Sequence, residues 1–168
     1  MNRFIGTVGA VWGALGVFAI LVFAIYRLSV LALEAFDFGL SAGQWLVAVA
    51  TIVFMAYSEG YRGFQQKFSP RTAARIRYLR DSPDPMRMLL APLVAMGYIH
   101  ATRSRKITSW GLTLGIVVLV SLVRLVDQPW RGIIDAGVVV GLGWGVISLG
   151  VSIVQAFTAT RGPSVSTG

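Results

Sequence analysis

Residues 133–157 read IIDAGVVVGLGWGVISLGVSIVQAF, an apolar run with a single charged residue, Asp135. A helix needs about 20 apolar residues to cross the roughly 30 Å hydrocarbon core of a bilayer, so this run is long enough to span it. The whole chain shares this character, because 55% of its 168 residues are hydrophobic and 13% are charged. Soluble domains carry about 25% charged residues, so the composition predicts an integral membrane protein.

Further apolar segments predict an all-α, polytopic helical membrane protein with one transmembrane domain, residues 1–157. It has four predicted transmembrane helices, residues 4–33, 44–60, 107–126 and 133–157. Residues 86–102 are apolar but short and contain Pro92, which predicts a re-entrant or interfacial segment, with a fifth span as the alternative. Residues 158–168 are rich in Gly, Ser and Thr, which predicts a disordered tail.

The positive charge of the chain predicts its orientation. The formal net charge is +8, and most lysines and arginines lie in residues 61–106. The positive-inside rule places this basic segment in the cytoplasm together with both termini. Within it, Ser69-Pro70 predicts the start of a short basic surface helix that ends near Arg80. We expect contact with anionic lipid there, and no binding of nucleic acid.

Glycines recur at helical spacing in two predicted spans. Gly9 and Gly13 share one face of the first span, and Gly137, Gly141 and Gly145 share one face of the fourth. Small residues let helix backbones approach closely in lipid, where packing drives association. These faces therefore predict helix packing within one chain, a seam in a homo-oligomer or larger membrane complex, or a stripe along a pore.

Asp135 is the acid placed deepest in a predicted span. Charges at such positions are costly and are usually paired or functional. Arg124 and Arg131 are close to it in sequence, which predicts an ion pair that fixes the hairpin of the last two spans. A proton- or ion-coupled site at Asp135 is the alternative.

Glu59 ends the second predicted span and precedes Arg62 by three residues, a spacing that allows a helical ion pair. A ligand- or proton-binding acid is the alternative, because Gly60 and Gly63 allow a helix break that exposes backbone groups. His100 is the only histidine. It is more typical of a structural residue than of a metal or cofactor ligand, and we expect neither metal nor cofactor.

The run Tyr57–Phe64, followed by Phe68–Arg71, resembles a family of small uncharacterised inner-membrane proteins of Gram-negative bacteria. Residues Gln128–Gly137 add to this resemblance. The resemblance implies a bacterial inner (plasma) membrane location, and it implies no activity and no functional residues.

Three functional hypotheses follow. The first is a structural or accessory membrane subunit that associates through its glycine-rich helix faces, and the absence of enzyme motifs favours it. The second is a small oligomeric channel or transporter that uses Asp135, Glu59 and Arg124. The third is a membrane enzyme or cofactor binder centred on His100 and Glu59.

Overall fold

A computed structural model describes residues 2–82, 84–98, 114 and 116–158, and all regular structure in these residues is helical. The helices are α1 (Asn2–Asp37), α2 (Ala42–Met55), a π-helix (Ala56–Phe68), α3 (Ser69–Asp81), α4 (Pro85–Leu89), α5 (Ala91–Met96), α6 (116–123) and α7 (Trp130–Thr158). This confirms the predicted all-helical class.

Within the described residues, three helical segments are long and apolar enough to cross a membrane: Phe4–Asp37, Ala42–Asp81 and Trp130–Thr158. They correspond to the first, second and fourth predicted spans, as expected for a membrane-embedded protein. The other predicted span, residues 107–126, is described only at residue 114 and from residue 116 onward, through α6 and the turn that follows. The count of four spans therefore stays a prediction.

The sequence predicts that the second span ends at Gly60. The structure instead shows one long helix that continues past this residue. It begins with a capping box in which the Ser41 hydroxyl accepts from the Gln44 backbone N–H and the Gln44 side chain accepts from Ser41. The helix then passes through α2, the π-helix and α3 to Asp81. A glycine costs a helix only about 1 kcal/mol, which packing against α7 readily offsets.

The third section of this long helix is packed, not a surface helix as predicted. Its residues Thr72, Ala73, Ile76 and Leu79 are buried and lie three or four positions apart on one face. Two of these four are small or hydroxylated, so the sequence of this face lacks the row of large apolar side chains that indicates a buried helix face. Ser69, the predicted N-cap, is fully buried inside the continuous helix.

Helices α4 and α5 cover the glycine face of α1. A Cβ atom on Gly9 would meet Met88, and one on Gly13 would lie 3.3 Å from Ala91 Cβ. With five and six residues, neither helix reaches across a bilayer. The segment around Pro92 thus packs as two short helices, and its depth in the membrane stays a prediction.

Helix α7 is central, since it contacts α1, α2, the π-helix and α3. Glycines make this possible. A Cβ on Gly132 would lie 2.7 Å from the Leu31 carbonyl oxygen on α1, and one on Gly145 would lie 2.6 Å from the Phe64 ring. The C-terminal end of α7 is held by α3, because Arg77 donates a 2.7 Å hydrogen bond to the Ala156 carbonyl.

We expect Gly145→Ala to destabilise the bundle by about 1–3 kcal/mol, the usual cost of overpacking. The added methyl group would clash with Cγ of the Phe64 ring, which lies close to its own backbone and cannot swing clear. Gly143→Ala is the matched control, because a Cβ there meets nothing within 4 Å. Thermal unfolding of both variants in detergent measures the difference, and equal unfolding temperatures would contradict this packing.

A second buried contact joins the long helix to α7 through hydroxyl groups. Ser148 Oγ lies 2.8 Å from Ser69 Oγ, a hydrogen bond in which either hydroxyl can donate, and 3.1 Å from the Gly145 carbonyl oxygen, which accepts from Ser148. Both side chains are buried.

A double-mutant cycle tests this hydroxyl pair. Ser148→Ala removes the hydroxyl that is hydrogen-bonded to the buried Ser69 hydroxyl, which we expect to cost about 1–2 kcal/mol. The double variant with Ser69→Ala should cost less than the sum of the two single variants. Unfolding free energies in one detergent give the coupling energy, and strict additivity would mean that the hydrogen bond contributes nothing.

Candidate functional site

The π-helix determines which side chains of the long helix face α7. Its hydrogen bonds join residue i to residue i+5, so each turn holds more residues than an α-helical turn. The residues on the α7 side are consequently four or five positions apart: Met55, Glu59, Phe64 and Ser69. They meet Gly137, Gly141, Gly145 and Ser148 in turn.

Glu59 lies directly against Gly141. A Cβ atom on Gly141 would be 3.2 Å from both Cβ and Oε2 of Glu59. A larger residue on α7 would therefore displace the acid. On the adjacent side, Gly60 is buried against Trp144, with 2.9 Å between a Cβ at Gly60 and the Trp144 Cβ. The acid thus sits in the helix interface, only partly exposed.

The predicted ion pair between Glu59 and Arg62 does not form. Among the described residues, no basic side chain lies within 4 Å of the Glu59 carboxylate and no hydrogen bond to it is made. The wider turn of the π-helix is the physical reason. It brings residues i+4 and i+5 alongside Glu59 and rotates Arg62, at i+3, to the exposed surface.

A polar face, defined here as Arg62, Gln66, Lys67 and Arg71, covers the outer side of the long helix, and all four residues are exposed. Its level along the bundle follows from the contacts on the opposite side. Phe64 packs on Gly145 and Ser69 on Ser148, both in the interior of the apolar run of α7. Three positive charges therefore lie beside the middle of an apolar helix.

Trp144 joins the edge of this face to α7. Its indole Nε1–H donates a 2.7 Å hydrogen bond to Gln65 Oε1. The tryptophan side chain is exposed, so it extends outward along the long helix. This polar bridge adds to the packing of Gly60 and fixes the rotation of the π-helix relative to α7.

Asp135 is buried near the start of α7 and pairs with Arg131 one turn earlier, at 3.8 Å from Arg131 Nε to Asp135 Oδ2. Neither atom has a hydrogen-bond partner in the described part of the chain. The predicted ion pair with Arg131 is present, but both residues belong to α7, so the pair does not join the last two predicted spans. Arg124 is exposed and forms no ion pair with Asp135.

His100 lies outside the described residues, so its pairing with Glu59 stays a prediction. In the part of the chain that the structure describes, no group of three His, Cys, Asp or Glu side chains is placed to hold a metal ion. The site therefore consists of one acid in a helix interface and a basic face beside it. No protein family, curated protein or solved structure matches this chain.

The sequence indicates Glu59, the glycines, and Asp135 with its partner Arg131, but it does not indicate the residues that contact Glu59 and the glycines. The wider turn of the π-helix determines which residues meet α7. It brings about the contacts of Phe64, Gln65, Trp144, Ser69 and Ser148. The available signal was a repeat of four to five residues, which is longer than the usual helical spacings of three and four.

We expect Glu59→Gln to raise the unfolding free energy by about 1–2 kcal/mol, because the wild-type carboxylate is partly buried without a polar partner among the described residues. Arg62→Gln should leave it unchanged, since the exposed guanidinium makes no ion pair with Glu59. Glu34→Gln on the exposed surface of α1 is the control for loss of one negative charge. Destabilisation by Glu59→Gln would show that the carboxylate has a partner.

Proposed function

We propose that this protein is a complex-forming membrane subunit whose polar face contacts another protein chain instead of lipid. The observation that carries the proposal is the level of Lys67 and Arg71 in the bundle, beside the apolar middle of α7. An accessory or structural role fits the absence of enzyme motifs in the sequence.

The surface beside the polar face is apolar. At the same level, α7 exposes Ile147 and Val151, side chains suited to lipid. One side of the bundle is therefore apolar where another side is basic. A surface in contact with lipid all round would be apolar all round.

Leaving the polar face in lipid is costly. An arginine or lysine at the centre of a bilayer costs about 2.5–3.5 kcal/mol on insertion scales. Snorkelling relieves part of this cost near an interface but less near the middle of a span. Contact with a polar or acidic surface of another chain removes the penalty for Arg62, Lys67 and Arg71 together, which supports the proposal.

The glycine faces are less suited to this task. Gly9 and Gly13 are covered by α4 and α5, and Gly137, Gly141 and Gly145 are covered by the long helix. Each face is thus used inside one chain. We therefore assign association with a second copy or a larger complex to the polar face.

We further propose four spans with both termini in the cytoplasm of a bacterium. The N-terminal end of α1, the C-terminal end of α7 and the end of α3 meet, since Arg80 lies beside Gly6 and over the Phe157 ring at 4.6 Å. This end also carries Arg77 and Arg87, so the positive-inside rule favours a cytoplasmic location and contact with anionic lipid.

A small oligomeric channel or transporter is the second function, and the three exposed positive charges of the polar face favour it. If several copies arrange their polar faces around one axis, Arg62, Lys67 and Arg71 line a shared lumen, and rings of basic residues favour anions. Glu59 lies just inside that wall and would contribute the opposite charge.

Single-cysteine variants separate these possibilities, because the chain has no cysteine of its own. We expect Gln66→Cys on the polar face to form a disulfide-linked dimer, or a cross-link to another protein, when native membranes are oxidised or treated with a bifunctional thiol reagent. Ile147→Cys, exposed at the same level on α7, should not cross-link. Denaturing gels and mass spectrometry of the bands identify the product.

The remaining outcomes are decisive. Labelling of Gln66→Cys by a membrane-impermeant maleimide without any cross-link would favour the water-filled lumen of a channel. Absence of both cross-link and labelling would place the polar face in lipid and would refute both functions.

A further inference from the structure

An open groove of about 320 Å³ lies between α1 and α7, at the opposite end of the bundle from Arg80. Its lining residues are Phe23, Tyr26, Arg27, Val30, Leu31 and Arg131. The wall is thus mainly apolar, with two guanidinium groups contributed by different helices. None of these residues belongs to the polar face.

The two arginines give the groove a positive charge. Arg27 is exposed and makes no ion pair in the described part of the chain. Arg131 is partly neutralised by Asp135, but their 3.8 Å separation is long, and Arg131 Nε has no hydrogen-bond partner among the described residues. Two cations and one acid leave a net positive charge and donors available to an anion.

The groove lies at the depth expected for lipid headgroups. Gln128, just before α7, donates a 3.2 Å hydrogen bond to the Leu31 carbonyl, so the start of α7 is level with Leu31. The apolar run of α7 begins at residue 133, so the groove starts at this boundary and extends toward Phe23. Exposed Tyr26 and Trp130 are near this boundary, and such aromatic residues are typical of the membrane–water interface.

We propose that this groove binds a phospholipid, with its phosphodiester contacting Arg27 and Arg131 and an acyl chain lying along Phe23 and Val30. Guanidinium groups match phosphate oxygens in charge and geometry, and bidentate contacts are available to each. The amino-terminal end of α7 adds a favourable dipole for an anion at this position. A free inorganic anion would use the arginines but not the apolar wall, so the combination favours a lipid.

Native mass spectrometry of the full-length protein in detergent, titrated with phosphatidylglycerol, tests the site. We expect Arg27→Gln to lower lipid occupancy roughly tenfold, as loss of one charge-assisted contact predicts. Arg124→Gln is the matched control, because it removes the same charge from an exposed residue outside the groove. Diacylglycerol with the same acyl chains, which lacks the phosphate, should bind no more tightly to wild type than to Arg27→Gln.

Several results would overturn the proposal. Equal lipid binding by wild type and Arg27→Gln would do so, as would an equal loss in Arg124→Gln. Displacement of the lipid by an equimolar amount of inorganic phosphate would show a site for free anions instead.

Arg131→Lys keeps the charge beside Asp135 while losing the bidentate fork, and it should weaken binding without lowering the unfolding temperature.

Discussion

The close approach of α7 to the long helix is the constraint on which the rest of the bundle depends. Gly137, Gly141 and Gly145 remove the side chains that would hold the two backbones apart, and the space is taken by Thr51, Met55, Glu59 and Phe64. In a membrane, helices gain little from the hydrophobic effect when they associate, so such contact supplies much of the stability. The hydroxyl pair of Ser69 and Ser148 continues the same interface with a hydrogen bond.

The π-helix adapts the long helix to this straight row of small residues. By holding more residues in each turn, it keeps one face on α7 from Met55 to Ser69. The same change of phase carries Glu59 into the interface and Arg62 out of it. A spacing of three residues, which places side chains on one face of an α-helix, therefore does not do so in this segment. The acid is placed by the packing of its neighbours and not by an ion pair of its own.

The long helix also explains why basic side chains lie at the same level as the apolar side chains of neighbouring helices. Residues after Gly60 are polar, yet α3 packs between α1 and α7 through Thr72, Ile76 and Leu79. The basic side chains are left on the outer surface, beside apolar side chains of the neighbouring helices. A membrane protein with such a surface needs a polar neighbour there, which is the physical basis of the proposed assembly.

The amino-acid sequence alone determined the class of the protein, the existence of its long apolar helices and the presence of acids, Glu59 and Asp135, within them, because hydropathy and charge depend on composition along a segment. It also indicated which glycines would allow close packing. It did not determine where the second helix ends, since Gly60 and Ser69-Pro70 carry local signals that tertiary packing overrides. Only the tertiary structure decided that Glu59 faces Gly141 and that Arg27 and Arg131 share a groove. These outcomes depend on the rotation of one helix against another, which neighbouring residues along the chain do not specify.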